Sequence, residues 1–184
     1  MERYKEYISN LAKNGIDNTF INTDNEHALE VFKNLFQIAK SELRIFAGCL
    51  CNSVANHSDY IEKISDFIEK GGKIRILLNK FENCKLNGSN LFLRLAYYKS
   101  LDKDIVVKCT KVRPYYTDDA EKKEIHFTVV DDNAYRIETD IEKRTANCNF
   151  NNNVIGKDLV SFFDKIFNDS KSTEIDLLEL FNLK

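Results

Sequence analysis

The alternation of short apolar runs with helical stripes constrains this chain more than any other feature. Leu43 to Leu50, Ile74 to Leu78 and the Ile105-Val106-Val107 centre of Asp104 to Thr110 are near-continuous apolar runs of strand length. Between them the apolar residues change period. Ile61, Ile64, Phe67 and Ile68 recur at helical spacing, as do those of Leu91 to Leu101, and Ala28, Leu29, Phe32, Leu35, Phe36 and Ala39 do the same ahead of the first run, over Asn25 to Lys40. Strands covered on both faces read as continuous apolar runs, and parallel neighbours need helical crossovers. Gly71-Gly72 supplies the left-handed stop that helices favour, and Ser58 or Asp59 a start. With the extended Thr19 to Asn22 in front, the order β, α, β, α, β, α, β predicts an α/β layer structure with a largely parallel sheet.

The flanks follow the same reasoning. Tyr4, Tyr7, Ile8 and Leu11 predict an outer helix over residues 2–14, ending near Gly15. Pro114, the only proline, opens a polar loop, Tyr115 to Lys123. Two strands of a hairpin come next, Ile125 to Val130 and Tyr135 to Thr139, around Asp131-Asp132-Asn133-Ala134, with Asp131 and Asp132 expected at the turn and pointing to solvent. An asparagine-rich stretch, Asn147 to Asn153, leads into a helix over Gly156 to Asn168, and a last helix is expected over Thr173 to Leu183. That tail, too apolar to be left solvated, would cover a core edge or dock on a partner. A length of 184 residues suits one domain. We divide it into an N-terminal helix (1–18), a main α/β domain with a mixed β-sheet flanked by helices (19–168) and a C-terminal helical extension (169–184).

Lys and Arg number 27 and Asp and Glu 29, so the net charge is 27 − 29 = −2. A chain so balanced lacks the positive field of a protein that coats long duplexes, though a local basic face fits within the balance. No run approaches the ~20 apolar residues of a membrane span, and Met1 to Glu6 has no signal-peptide core, so a cytoplasmic location is expected. Five cysteines are an odd number, and Cys49, Cys51 and Cys109 sit in or beside apolar runs, so a disulfide scaffold is not expected. Cys49-Leu50-Cys51 with His57 is the one cluster with metal-ligand residue types, but it lacks a CxxC pair and a matching second half. No metal or cofactor is implied.

Of the three histidines, His27 falls in the first turns of a helix and His57 in a polar loop, which gives neither a chemical neighbour. His126 is different. It begins a strand that carries Thr128 and Val130 on the same face, and the return strand carries Arg136 and Glu138 two apart on one face. A hairpin register symmetric about Asp132-Asn133 would bring an imidazole, a guanidinium and a carboxylate together. The plain alternative is a structural charge pair of little weight.

At these residues the chain resembles one domain of the phospholipase D superfamily. The likeness rests on the helix ending in Gly71-Gly72-Lys73-Ile74-Arg75-Ile76-Leu77-Leu78, on His126-Phe127-Thr128-Val129-Val130-Asp131 followed by Tyr135-Arg136-Ile137-Glu138, and on Asn149-Phe150-Asn151-Asn152-Asn153 with Leu159 to Phe167. It covers roughly residues 19–168. The family motif is His-x-Lys-x4-Asp, with two copies meeting at one site from a tandem repeat or a homodimer. One histidine attacks phosphorus, the other protonates the leaving oxygen, and the lysines hold the phosphoryl oxygens. In this chain the histidine position is His126 and the lysine position is Thr128. The aspartate corresponds to Asp131 or Asp132, at a shortened spacing, and Glu138-Thr139 stands where a small Gly-Ser pair is usual.

The resemblance therefore implies a degenerate site, with His126 and Glu138 as candidate catalytic residues and Thr128, Arg136, Asn149 and Asn151 as candidate ligand contacts. It implies a binding or regulatory subunit, by analogy in a bacterial defence or mobile-element system. A homodimeric nuclease using one His126 per subunit is the first alternative. An accessory protein docking a partner through its C-terminal helix is the second. The expected partners are a second copy, a protein on the C-terminal helix, and a nucleic acid or nucleotide, with no membrane.

Overall fold

The computed structural model describes residues 1–118 and 121–183. Its centre is a mixed eight-stranded sheet in the order β1-β9-β8-β7-β2-β3-β4-β10. The apolar runs form the parallel half: β2 (Glu42–Ala47), β3 (Lys73–Leu78) and β4 (Ile105–Cys109) pair in parallel. The crossovers are the expected helices α3 (Ser58–Glu69) and α4 (Asn90–Ser100). Two short 3-10 turns, Phe81–Asn83 and Leu86–Gly88, lead into α4. The helix stop after α3 is as the sequence suggests, since Gly71 takes φ +92°, a backbone conformation that only glycine adopts without strain. His57 caps α3, its Nδ1 accepting from the Asp59 amide at 3.2 Å, one position earlier than the expected starts.

The other half is antiparallel. The histidine hairpin forms as β7 (His126–Val130) and β8 (Ala134–Asp140), with His126 opposite Glu138 and Thr128 opposite Arg136. β7 also lies antiparallel to β2, with Leu43 opposite Val130 and Phe46 opposite Phe127. Beyond β8 come β9 (Thr145–Asn149) and β1 (Phe20–Asn22), both antiparallel. The start of the asparagine-rich stretch is therefore a strand, not a loop. Its polar side chains obscure the alternation, while Ala146 and Cys148 are fully buried. The expected polar loop after Pro114 contains a second hairpin, β5 (Tyr115–Asp118) with β6 (Glu121–Glu124). Residues 119 and 120 at its tip, and Lys184 of the expected C-terminal segment, lie outside the described residues.

The two faces are covered unequally. α1 (Glu2–Lys13), α2 (Asn25–Ile38), α3 and α4 pack on one side, over a core that includes Ile8, Leu35, Ile45, Tyr60, Ile76 and Phe92. The opposite face carries α5 (Asn153–Phe167), whose Phe163, Ile166 and Phe167 meet Phe46, Leu77, Phe127 and Tyr135. Arg44 on β2 fixes α5 with a two-toothed grip on Asp164, at 2.8 and 3.2 Å.

The tail departs from expectation. In place of a helix over Thr173 to Leu183, Thr173–Glu174 form β10 on the edge of β4, and only Leu177–Leu180 are helical (α6). Its apolar residues are used inside the fold: Leu177 is buried, and Ile175, Leu180 and Phe181 pack against the main core. Of the two uses the sequence allows for this tail, the structure shows the first, the covering of a core edge. No helix among the described residues is long and apolar enough to cross a membrane.

Asp131 is the second correction. It does not point to solvent: its carboxylate accepts from the Lys40, Ser41 and Glu42 amides and the Ser41 hydroxyl, at 3.0, 2.9, 3.0 and 2.6 Å. Partial burial raises its pKa, but these donors outweigh burial and hold the carboxyl below the ordinary aspartate value. A depressed folded pKa contributes stability that is present above the unfolded value of about 3.9 and is lost as pH falls through the folded one. Asp131→Ala is thus expected to cost about 2 kcal/mol in urea unfolding at neutral pH. The gap to the native protein should close as the pH is lowered through the acid range, and a pH-independent gap would contradict this assignment.

Candidate functional site

The hairpin register decides the site. His126, Thr128, Arg136 and Glu138 share the face towards α2, at the end of the sheet where β7 begins and β2 ends. His126 Nδ1 lies 3.3 Å from Glu138 Oε2. The other Glu138 oxygen lies 3.2 Å from Arg136 Nη2 and 3.5 Å from Arg144 Nη1. Burial raises the pKa of Glu138, but the hydrogen bond from His126 and the charges of Arg136 and Arg144 more than reverse this and keep it ionised. The Nδ1 edge of the imidazole faces the carboxylate, and Nε2 points away from it.

Arg136 is 4% exposed and held on several sides. Its Nε donates to Asn22 Oδ1 at 2.8 Å and its Nη2 to the Arg144 carbonyl at 3.2 Å, and the guanidinium lies 5.1 Å from the Phe32 ring centre. Asn22, fully buried on β1, returns a hydrogen bond to the same carbonyl at 2.7 Å. Glu124 stands on the outer side of His126, accepting from Asn79 Nδ2 at 3.1 Å and pairing with Lys80 at 3.5 Å. Its carboxylate is 3.9 Å from His126 Nε2, beyond hydrogen-bond reach.

These groups border a cavity of about 360 Å³, within the range of small-molecule sites. Phe32, Tyr60, Val54 and Leu50 give it an apolar wall, and Lys80, His126, Thr128, Arg136, Glu138 and Arg144 a polar one. Two of its polar atoms, His126 Nε2 and Tyr60 Oη, are buried without a hydrogen-bond partner among the described residues. Burial pushes the Tyr60 hydroxyl up, so it stays protonated. Gly48 roofs the histidine: a Cβ there would stand 3.3 Å from His126 Cε1 and 3.4 Å from Lys80 Cδ. An imidazole oriented by a carboxylate at the wall of a cavity has the arrangement of a base or a nucleophile.

His126, Thr128, Arg136 and Glu138 come together as the sequence suggests. Asn149 and Asn151 do not join them. Asn149 pairs with Tyr135 across the sheet, which turns it to the other face, and its amide donates to Asp17 and Thr19 at 2.8 and 3.2 Å. Asn151 donates to the Gly15 carbonyl at 2.6 Å and accepts from Asn133 at 3.1 Å. Both asparagines fasten the connection after α1 to the start of α5. Lys80, Arg144, Glu124 and Tyr60 were not anticipated. Lys80 carried a usable signal, since it follows a parallel strand and the carboxyl ends of such strands open onto crevices. The others are brought in by tertiary folding alone.

Similarity to solved structures follows the same outline. TrmBL2, an archaeal chromatin protein whose structure shows a novel mode of DNA binding, aligns with a TM-score of 0.60 at 14% identity, over 95% of this chain and 63% of its own. The phospholipase D family member Nuc from Salmonella typhimurium aligns at 0.55 and 9% identity, over 86% of this chain and 99% of its own. NucT from Helicobacter pylori aligns at 0.55 and 10%, over 87% and 100%. The fold is phospholipase D-like. At these identities the likeness is one of architecture; no protein-family model matches the sequence, and neither does any curated protein.

The phospholipase D-like frame thus surrounds a buried carboxylate. Removing one member of a buried ion pair commonly costs about 3–5 kcal/mol, because the charge left behind is unpaired. Glu138→Gln should lower urea stability by an amount at or below the lower end of that range, since the amide keeps one acceptor. The low pKa of Glu138 means that its contribution exists above the unfolded value of about 4.3 and disappears as pH falls through the folded one. The variant should accordingly show a flatter acid limb in a stability-versus-pH series than the native chain.

Proposed function

We propose that this chain is a phospholipase D-like binding or regulatory module whose cavity around His126 holds a small ligand without hydrolysing phosphodiesters. One observation carries the reading: Arg136, which stands opposite Thr128 in the hairpin, is committed to Glu138, Asn22 and the Arg144 carbonyl, while Thr128 occupies the strand position that would otherwise bring a lysine. Phosphoryl transfer needs positive charge on the equatorial oxygens as they become more negative, and a threonine hydroxyl gives a neutral hydrogen bond only. Losing one such electrostatic donor lowers rates by about 10² to 10³. The apolar wall and the unpartnered Tyr60 hydroxyl suit ligand retention.

A second reading has its own support. His126 is oriented by Glu138 through Nδ1, as a nucleophilic histidine would be, and its Nε2 has no hydrogen-bond partner among the described residues, so a homodimeric nuclease with one histidine per subunit is the alternative. Hydrolysis of single-stranded DNA, RNA, duplex DNA and bis(p-nitrophenyl) phosphate, with and without EDTA, separates the two. The binding module should show no turnover that depends on His126. EDTA-insensitive cleavage that survives repurification and vanishes in His126→Ala would establish the nuclease. Static light scattering adds a second check on that alternative, which requires twice the 21.4 kDa of one chain.

A further inference from the structure

We propose that Cys49 and Cys84 form a thiol–disulfide exchange site that latches the mouth of the His126 cavity, with a low-molecular-weight thiol such as glutathione as its reactant. No sequence pattern pairs these two residues, 35 positions apart, yet the fold joins them in a disulfide with Cα atoms 5.3 Å apart. Cys49 belongs to the segment after β2, and Cys84 follows the first 3-10 turn after β3. The bond therefore ties together two connections that leave the same end of the parallel strands.

Both connections border the site. Gly48, Cys49, Leu50, Cys51 and Asn52 line the cavity on one side, and Lys80 lines it on the other. The Cys49 and Cys84 sulfurs lie 3.5 and 3.2 Å from the Lys80 carbonyl oxygen, and Gly48, next to Cys49, roofs the His126 ring. Opening the bond removes the covalent tie between the roof and the Lys80 segment, so that the roof lifts where the main-chain hydrogen bonds from Lys80 to the Gly48 carbonyl at 3.1 Å and from Asn79 to the Ala47 carbonyl at 3.0 Å give way. Both cysteines are half-buried and neither is sealed in the core, the partial exposure that attack by a small thiol requires. Cys51 is the neighbouring free thiol, but burial raises its pKa, which leaves the attack to an external thiolate.

The exchange balances without a further reactant. A glutathione thiolate attacks Cys84 Sγ, the Cys49–Cys84 bond breaks, and Cys49 leaves as a thiolate that takes up a proton. A second glutathione thiolate attacks the glutathione sulfur of the mixed disulfide and releases oxidised glutathione and the Cys84 thiolate, which is protonated in turn. Two thiols are oxidised and one protein disulfide is reduced, and oxidised glutathione drives the reverse.

The inference rests on the cavity being the working site, but its test needs no knowledge of the ligand, so it can fail while the binding reading stands. The full chain is equilibrated in a series of reduced and oxidised glutathione mixtures, and differential alkylation with mass spectrometry reads each cysteine. In parallel, diethyl pyrocarbonate labelling reads His126, with His27 and His57 as internal references. Cys49 and Cys84 should titrate together as a two-electron couple, and His126 should label about tenfold faster once they are reduced, the factor expected when a local opening equilibrium shifts by one power of ten. Cys84→Ser should label at the fast rate in every mixture, and Cys51→Ser should switch like the native chain. The native chain carries the test by itself if Cys84→Ser does not fold. A bond that stays closed in reduced glutathione, cysteines that stay free in the oxidised couple, or switching with no change at His126 would each overturn the proposal.

Discussion

A buried carboxylate organises this molecule. Glu138 lies inside the sheet face and, left alone there, would cost several kcal/mol in desolvation. Three strands and a loop answer that cost: His126 from β7, Arg136 from β8, Asn22 from β1 acting through Arg136, and Arg144 from the β8–β9 connection. Each partner is satisfied only in one register, because a slip of one residue would carry His126, Arg136 or Glu138 to the α5 face. The polar cluster thus favours one alignment of the antiparallel half, at the place where the cavity opens. The same interactions explain the reading of the site as one that binds: charges neutralised within the protein are poor counter-charges for a substrate phosphate.

The parallel half was legible because its strands obey a simple rule. Leu43, Ile45, Phe46, Ile74, Ile76, Leu77 and Leu78 are covered from both sides, so burial writes continuous apolar runs into the sequence. β9 hides from that rule. It lies between β1 and β8, where exposed Asn147 and the buried, hydrogen-bonded Asn149 alternate with Ala146 and Cys148, and composition makes the stretch look like a polar tract. The short tail misled in the opposite sense. Its apolar residues mark packing against the main core, and a two-residue strand with one helical turn buries Leu177 and half-buries Ile175, Leu180 and Phe181.

The candidate site was half legible for a related reason. His126, Arg136 and Glu138 lie on two strands joined by a short turn, where alternation and register are local properties that a sequence displays. Asn149 and Asn151 were misplaced because face depends on parity: Asn149 faces with Tyr135, one residue off Arg136. Lys80, Tyr60 and the Cys49–Cys84 bond depend on which ends of distant strands meet, and no local pattern encodes that.

Those ends meet because strand direction reverses at one seam. β2 runs parallel to β3 on one side and antiparallel to β7 on the other. The exits of β2 and β3 and the entrance of β7 therefore share one end of the sheet, which places Gly48, Lys80 and His126 around a single opening, as expected where a sheet changes its sense. At the far end of the same seam, Asp131 leaves β7 and grips the Lys40–Glu42 backbone that begins β2. One carboxylate is thus spent fixing the alignment of the two strands, and the other, Glu138, is spent orienting the histidine that this alignment delivers. Asp131, one of the two aspartates that resemblance offered for a catalytic motif, is bound into the frame instead.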